Sequence, residues 1–438
     1  MKKIIVLICY ILLYLSSNKL LAQFNLDGQI LQRAEYRNGF GRLLEKNQEA
    51  AFFIAHRVRL QSSYQTEKMK FYASIQDIRT WGNTPQVKAS DAFLSLHEGW
   101  AEIELSPQLN LKLGRQELNY DNFRFLGNLD WALQGRAHDF ALLKYEKNSA
   151  KLHIGGGFNQ QVQRDTSTTY ILANQYKTAH MARYENQWKK WNLSIFLWNE
   201  GRENQGRHFY KQTIGLPNIQ YKKNKTTISA FYYHQLGKDI QDRPVNAFDA
   251  SLQVKKEFSL IKHQEDSVSI NTPKNAGKLQ IVLGVEVISG TNSNEAQRNT
   301  SFSLLYGTNH IFNGFMDLFF VGGSFENGVG LQDYYLKTRY YANEKLFVQT
   351  DAHVFQTYSK YFVGNETLEK FLGTEIDLSC GFVLSKSVSV QGGYSQVFAS
   401  NTLKTIKLAQ NPKEIQNWMY IMLIIRPTMK NKFIGISI

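Results

Sequence analysis

The sequence from Phe24 to Ile30 reads FNLDGQI, with apolar residues at the even positions Phe24, Leu26 and Ile30 and polar residues at the odd positions. A period of two residues is the pattern of a β-strand that has one apolar face and one polar face. The polar face continues beyond this stretch, because Arg33 also stands at an odd position. The sequence therefore predicts a strand with one charged face near the start of the 438-residue chain.

Most of the chain repeats the alternation, and helical periodicity is hard to find. Soluble sheets favour strands of ~5–6 residues, whereas the alternating runs here are ~10–14 residues long and suit a tilted membrane strand. Roughly 16 to 18 such runs are visible, and closure of the sheet leaves no unpaired edge. The sequence predicts an all-β fold, a single antiparallel transmembrane β-barrel with 16–18 strands and most simply 18. The clearest repeats are 52–63, 109–113, 346–354, 375–382 and 388–391.

The connections between the runs alternate in length. Short turns such as 65–68 and 146–149 contrast with longer polar stretches, and this contrast is typical of outer-membrane barrels. The seven tryptophans of the chain lie near the ends of runs, which fits either aromatic girdles at the membrane interfaces or ordinary packing within the sheet. We expect long loops at 38–49, 81–90, 120–134, 199–208 and 292–301, with 238–243 as a further one.

The N-terminus has the layout of a secretory signal peptide. Lys2 and Lys3 precede an apolar segment, and a short polar stretch ends at Ala22. We expect residues 1–22 to be the signal peptide and 23–438 to be one outer-membrane barrel domain. Two cysteines, Cys9 and Cys380, provide no disulfide framework. The predicted location is the outer membrane, reached by signal-dependent export.

The composition favours an anionic partner and gives no sign of enzyme chemistry. The formal charge is +14, with 51 Lys and Arg against 37 Asp and Glu. Nucleic acid is a poor partner for an exported chain. The pair His97-Glu98 lacks the second histidine of a zinc helix motif, and the glycines 155–157 are not followed by Lys-Ser/Thr. We predict a non-enzyme without catalytic residues, metal ligands or a cofactor.

Basic residues on the predicted inner faces are the candidate pore residues. A lipid-facing arginine at the midplane would cost ~2–4 kcal/mol, so the lumen is the better assignment. The guanidinium group donates two parallel hydrogen bonds to a carboxylate, and a ladder of such groups suits a moving anion. The candidates near the long loop 120–134 form either a constriction of the pore or salt-bridged anchors of the loop. The candidates on the other runs either select anions or pair with acidic side chains in the lumen. The candidates are Arg33, Arg57, Arg59, Arg115, Arg124, Arg136, Asp139, Lys337 and Arg339.

Several motifs resemble the alginate-export family of outer-membrane β-barrels. They are the segment 113–118 followed by Asp121, Arg124 and Gly127; Trp131 with 134–139; 306–310 followed by 314–317; and the closing run 418–427. The resemblance implies an 18-stranded monomeric barrel whose electropositive pore conducts an anionic polyuronate. It further implies outer-membrane lipid around the barrel and periplasmic export partners. The chain departs from the pattern of barrel C-termini, because it ends on Ile438 with the aromatic Phe433 five residues earlier.

Three other interpretations remain open at this stage. A general or small-solute porin has the same fold and needs no polysaccharide partner. A barrel enzyme that acts on lipid or glycan would require a catalytic group that the motifs do not provide. A secreted soluble all-β binding protein would have to cover its apolar strand faces with other layers of structure. The long charged faces favour the barrel over the soluble protein.

Overall fold

The computed structural model describes residues 23–88, 90, 93–168, 175–260, 276–319, 328–428 and 432–438. The predicted signal peptide, residues 1–22, lies outside the described residues. The strands are β1 (Gln23–Asn38), β2 (Ala51–Gln65), β3 (Met69–Thr80), β4 (Leu94–Ser106), β5 (Leu109–Gln116), β6 (His138–Lys147), β7 (Ala150–Phe158), β8 (Thr178–Trp188), β9 (Trp191–Asn204), β10 (Arg207–Lys223), β11 (Thr226–Lys238), β12 (Pro244–Ser259), β13 (Lys278–Ile288), β14 (Leu331–Tyr341), β15 (Leu346–Gln356), β16 (Phe362–Val363), β17 (Glu366–Thr367), β18 (Phe371–Val383), β19 (Val388–Ala399) and β20 (Gln416–Ile425).

Eighteen of these strands form one antiparallel sheet, in which each strand pairs with its neighbours along the chain. The sheet closes because β1 pairs with β20, from Ile30 opposite Ile425 to Asn38 opposite Asn417. The short strands β16 and β17 form a separate hairpin in one loop. The structure thus confirms the predicted all-β fold as a closed 18-stranded barrel.

Helix contributes almost nothing to the fold. The only helix among the described residues is α1 (Asn401–Ile406), which Ser400 caps by accepting a hydrogen bond from the backbone N–H of Leu403. Across the same residues, no helix is both long enough and apolar enough to cross a membrane.

The two faces of the wall differ as the alternation predicts. On β2, Phe52, Val58 and Leu60 point outward and are exposed, whereas Arg57 and Arg59 point inward and are buried. Every barrel strand contributes outward apolar side chains of this kind, and together they make a belt around the sheet. An apolar surface of that extent is unfavourable in water and is the surface that a lipid bilayer covers.

The connections alternate between short turns and longer loops except at β9–β10 and β12–β13, and one loop prediction is wrong. The predicted loop 199–208 is instead a tight hairpin, since β9 and β10 are joined by Gln205 and Gly206 alone. Both central residues have positive φ, 51° and 76°, as two-residue hairpin turns of type I′ require. The polar residues that suggested a loop are partly inward-facing strand residues, such as the buried Glu200 and Glu203.

Two long loops fold into the barrel, and we call them the first lumen loop (117–137) and the second lumen loop (289–319). They pack against each other and against the inner wall in one apolar cluster. Trp131, Trp198 and Trp418 belong to this cluster, so the girdle interpretation is wrong for these three. By contrast, Trp188 and Trp191 remain half exposed beside the β8–β9 turn. Apolar side chains of the two loops in the cluster are Leu118, Phe125, Leu126, Trp131, Leu133, Phe302, Leu304, Tyr306, Phe315, Met316, Leu318 and Phe319.

Residues 432–438, which we call the C-terminal tail, lie in the lumen on the side of the short turns. Gln391 holds the tail through both backbone groups of Ile434, at 2.7 and 3.0 Å. The ring of Phe433 packs edge-on against Phe347, with 4.9 Å between the centroids. Phe433 therefore does not end a membrane strand, since the last strand stops at Ile425.

Candidate functional site

Arginines of β1 and β2 hold the tip of the first lumen loop. Arg57 is fully buried, with Nη2 2.6 Å from Asp130 Oδ1 and Nη1 donating to the carbonyl of Leu133 at 2.9 Å. Arg59 donates to Gln76 Oε1 at 2.7 Å and lies 3.9 Å from Asp130. Both arginines face the lumen as predicted, and their nearest partners are groups of this protein.

Arg33 reaches the same loop from the neighbouring strand. Its Nε donates to Glu35 Oε1 at 2.7 Å, and its Nη1 donates to the carbonyl of Trp131 at 2.8 Å. The guanidinium also lies over the Trp131 ring, 4.3 Å from the centroid. Because Arg33 is buried, cation–π attraction and the two charged hydrogen bonds act together to fix the loop.

Arg124 secures the other side of the first lumen loop. Its Nε lies 2.7 Å from Glu286 Oε1 and 3.4 Å from Asp249 Oδ2, and all three side chains are buried. Nη2 donates to Asn313 Oδ1 of the second lumen loop at 2.7 Å. The one side chain thus joins both lumen loops to β12 and β13.

Asp121 makes a third attachment near the start of the loop. It accepts hydrogen bonds from Arg183 at 2.7 Å and from Ser194 at 2.6 Å. The backbone of Asp121 has φ 53°, a left-handed conformation that costs energy in non-glycine residues unless contacts hold it. The ion pair with Arg183 and the hydrogen bond from Ser194 supply such contacts.

The predicted residues Arg115, Arg136 and Asp139 lie at the two ends of the first lumen loop. Arg115 Nη1 donates to Asp139 Oδ2 at 3.1 Å, and this pair is the most solvent-exposed of the candidates. Arg136 Nη1 donates to the carbonyl of Gly307 at 2.7 Å, so it links the two lumen loops. Burial lowers the pKa of Arg136 to about 10. Arg136 therefore acts as a loop anchor, one of the two roles expected for it. The prediction of a pore role is wrong for Arg115 and Asp139, because they pair on the outward face of β5 and β6, which they share with the exposed Leu113 and Leu143.

Lys337 and Arg339 face the lumen from β14. Lys337 Nζ lies 3.6 Å from Asp351 Oδ2, and Arg339 Nε donates to Gln349 Oε1 at 2.7 Å. Phe347 lies under the Arg339 guanidinium, 4.7 Å away. Both residues are well removed from the arginines of β1 and β2, since they stand on a different sector of the wall.

The inner wall is divided into a basic sector and an acidic sector. The basic sector is on β1 and β2, where Arg33, Arg57 and Arg59 lie. Six buried carboxyl groups on β12 to β15 and β18 face the lumen, where Arg124, Lys337 and Arg339 are among the basic groups beside them. Basic and acidic side chains are therefore concentrated on different parts of the inner wall. The six acids are Asp249, Glu286, Asp333, Asp351, Glu375 and Asp377.

The candidate site residues chosen from the sequence did not include Asp130 or the acids of the acidic sector. The alternation of the sequence could have identified Asp249 and Glu286, because each stands at an inward-facing position of its strand. Alternation could not identify Asp130, because it lies in a loop, where no regular period fixes the direction of a side chain. The candidates, eight basic residues and Asp139, left both groups out.

Between the lumen loops and the turn side lies a cavity of about 610 Å³, the lumen chamber. Its lining combines amides and hydroxyls with aromatic rings, among them Asn218, Gln220 and Phe231. Its charges are largely paired with one another, for example Arg183 with Glu185 at 2.9 Å. Chambers of ~300–1,000 Å³ with a few placed polar groups are the usual size for a small ligand.

The fold and the filled lumen define the class of protein as an outer-membrane-type β-barrel. Solved structures with this fold include OpdQ of Pseudomonas aeruginosa (TM-score 0.57, 11% identity, 92% of this chain and 97% of that chain). OccAB4 of Acinetobacter baumannii matches equally well (TM-score 0.57, 11% identity, 93% and 99%). The outer membrane protein OpdK of P. aeruginosa follows (TM-score 0.52, 11% identity, 92% and 98%).

At such low identity these similarities establish the fold alone. No protein-family model matches the sequence. The search of curated proteins likewise gave no match. The comparisons thus support an outer-membrane barrel and give no support to the alginate-export family.

Proposed function

We propose that the protein is an outer-membrane channel for small polar solutes, with the lumen chamber on the route. The observation that carries the proposal is the pair of lumen loops, which narrow an 18-stranded barrel to a polar chamber of about 610 Å³. A chamber of this size accommodates one small solute at a time. One fold neighbour, OpdK, was solved with vanillate, which fits a small-molecule route in this kind of barrel.

Export of an anionic polysaccharide is the weaker candidate. A polyuronate is an extended chain that must thread the whole lumen, and both lumen loops and the C-terminal tail stand in its way. The basic residues expected to conduct it are engaged with the protein itself, as Arg57 is with Asp130.

The candidate pore residues keep a role in this proposal as loop anchors and local selectivity elements. Arg115 and Asp139 are the exceptions, because they face outward from β5 and β6 and do not line the route. Lys337 lines the lumen chamber directly. We propose that Lys337 tunes which small ions pass, and that the deeply buried arginines set the width of the passage.

Location in the outer membrane follows from the same proposal. The apolar belt needs a bilayer, and residues 1–22 have the composition of an export signal. Residues 23–438 would then be the single membrane domain. Fractionation of cells with a heat-modifiability gel tests this, since a folded barrel migrates differently before and after boiling.

Uptake into liposomes tests the substrate size. The refolded protein is reconstituted, and swelling is followed with neutral sugars from a pentose to a pentasaccharide and with a polyuronate. We expect uptake to fall steeply beyond a disaccharide, because the lumen chamber holds one small solute. Equal uptake of the pentasaccharide or the polyuronate would refute the small-solute proposal and return polysaccharide transport to first place.

A further inference from the structure

A β-bulge in β4 turns two consecutive chemically active side chains toward the lumen. Ser74 of β3 pairs with Glu98 and Ile75 pairs with Leu96, so His97 is the inserted residue. In a regular strand His97 and Glu98 would point to opposite faces, and only one of them would enter the barrel. The bulge therefore places an imidazole and a carboxylate side by side near the loop end of β4.

The start of the first lumen loop brings a third donor to the same place. Glu117 Oε1 lies 2.9 Å from His97 Nε2. One donor atom from each of His97, Glu98 and Glu117 lies within 4.8 Å of the other two. Ligand atoms bound at ~2.0–2.1 Å around a tetrahedral zinc ion are about 3.3 Å apart, so small side-chain adjustments suffice.

Ser74 provides an independent sign that the cluster lacks a partner. Its side chain is fully buried directly opposite Glu98, and its hydroxyl has no hydrogen-bond partner among the described residues. Buried hydroxyls nearly always find a partner. A ligand held between β3, β4 and the loop would give this hydroxyl a partner, and the hydroxyl would be a fourth donor in the set.

The surroundings of the cluster orient the carboxylates. Glu117 Oε2 accepts hydrogen bonds from Asn119 and Asn128 at 2.9 and 3.0 Å, which leaves Oε1 directed to His97. Glu98 Oε1 accepts from Trp100 Nε1 and from the backbone N–H of Glu117. Outer hydrogen bonds of this kind fix ligand geometry in metal sites.

We propose that His97, Glu98 and Glu117 bind a divalent transition-metal ion, for which zinc is the natural probe. Imidazole nitrogen with two carboxylates is a donor set of zinc sites, and a dication neutralises the two buried negative charges. The ion would join the barrel wall to the first residue of the first lumen loop. Metal binding would thereby stiffen the loop that narrows the lumen.

Direct metal binding tests the proposal. The full-length refolded protein is stripped with a chelator, incubated with zinc, passed through a desalting column and analysed for metal by mass spectrometry. We expect one zinc per barrel, and at least a tenfold weaker affinity in His97→Gln and in Glu117→Gln. Folding of each variant is checked by heat modifiability, and Glu98→Gln serves as a third variant should one of them fail to fold.

His153 offers a matched control within the same lumen. Its Nε2 lies 2.9 Å from Glu146 Oε1, the same pairing and distance as His97 and Glu117. The described residues place no third donor beside it. His153→Gln should therefore keep the bound zinc. Absence of stoichiometric zinc in the wild-type protein, or equal loss in His153→Gln, would overturn the proposal.

Discussion

Replacement of Arg124 by glutamine should release the first lumen loop while the barrel stays folded. Arg124 is fully buried and joins both lumen loops to Glu286 and Asp249. Removal of one partner from a buried ion pair costs ~3–5 kcal/mol, because the remaining charges lose their compensation. Since ~1.4 kcal/mol is a factor of ten, the docked loop loses a factor of roughly 10² to 10³ in population relative to undocked states.

The apolar contacts of the loop oppose this release. Five loop side chains are buried in the cluster, and each contributes ~1.5–3 kcal/mol. We therefore expect transient opening of the loop and not complete loss of docking. The barrel hydrogen bonds are untouched, so heat modifiability should be unchanged.

Planar-bilayer recording measures the effect. Arg124→Gln should show larger or noisier single-channel conductance than the wild type, because the loop opens more often. Addition of Glu286→Gln should recover part of the wild-type behaviour, since it removes one uncompensated carboxylate. Arg115→Gln is the control, because an exposed pair contributes only ~0.2–1 kcal/mol. Wild-type conductance in Arg124→Gln would refute the assignment of Arg124 as the loop anchor.

Three further predictions concern charge, pH and packing. Lys337 lines the lumen chamber, so Lys337→Gln should shift the reversal potential in a salt gradient toward cation preference, and an unchanged potential would exclude Lys337 from selectivity. Burial lowers the pKa of Lys407 to about 8 from 10.5, so the folded protein releases this proton before the unfolded chain does. Stability should therefore rise from about pH 8 to about pH 10.5, by at most ~3 kcal/mol, and Lys407→Met should show a flatter profile in urea unfolding at each pH. Gly435 has φ 71° and would place a Cβ 2.2 Å from the Trp131 ring, so Gly435→Val should expel the C-terminal tail and make it sensitive to carboxypeptidase. Tail protection equal to the wild type would contradict that packing.

Alternation alone predicted the barrel and the direction of most wall side chains. It works because each strand has lipid on one side and a polar interior on the other, so the period-2 pattern is strong. Arg33, Arg57 and Lys337 all point inward as the parity requires. The number of strands could also be predicted, because the strands of a closed barrel are of similar length and each appears as one alternating run.

The interior could not be predicted in the same way. The segment 120–134 was read as a polar loop, yet Phe125, Leu126 and Trp131 within it are buried. Apolar residues in a long loop are the one signal that the loop turns inward, and periodicity does not detect them. His97 is a second case, because a bulge shifts parity by one residue and the sequence does not mark its position.

Single-channel recording of the wild-type protein across a salt gradient measures directly whether the lumen chamber is a route for small solutes. We expect a small, steady conductance that a small polar solute reduces in a saturable way, because the solute occupies the lumen chamber. A polyuronate added to either side should leave the current unchanged or block it only at the entrance. A folded barrel that conducts no ions, or that passes the polyuronate freely, would show that the protein is not a small-solute channel.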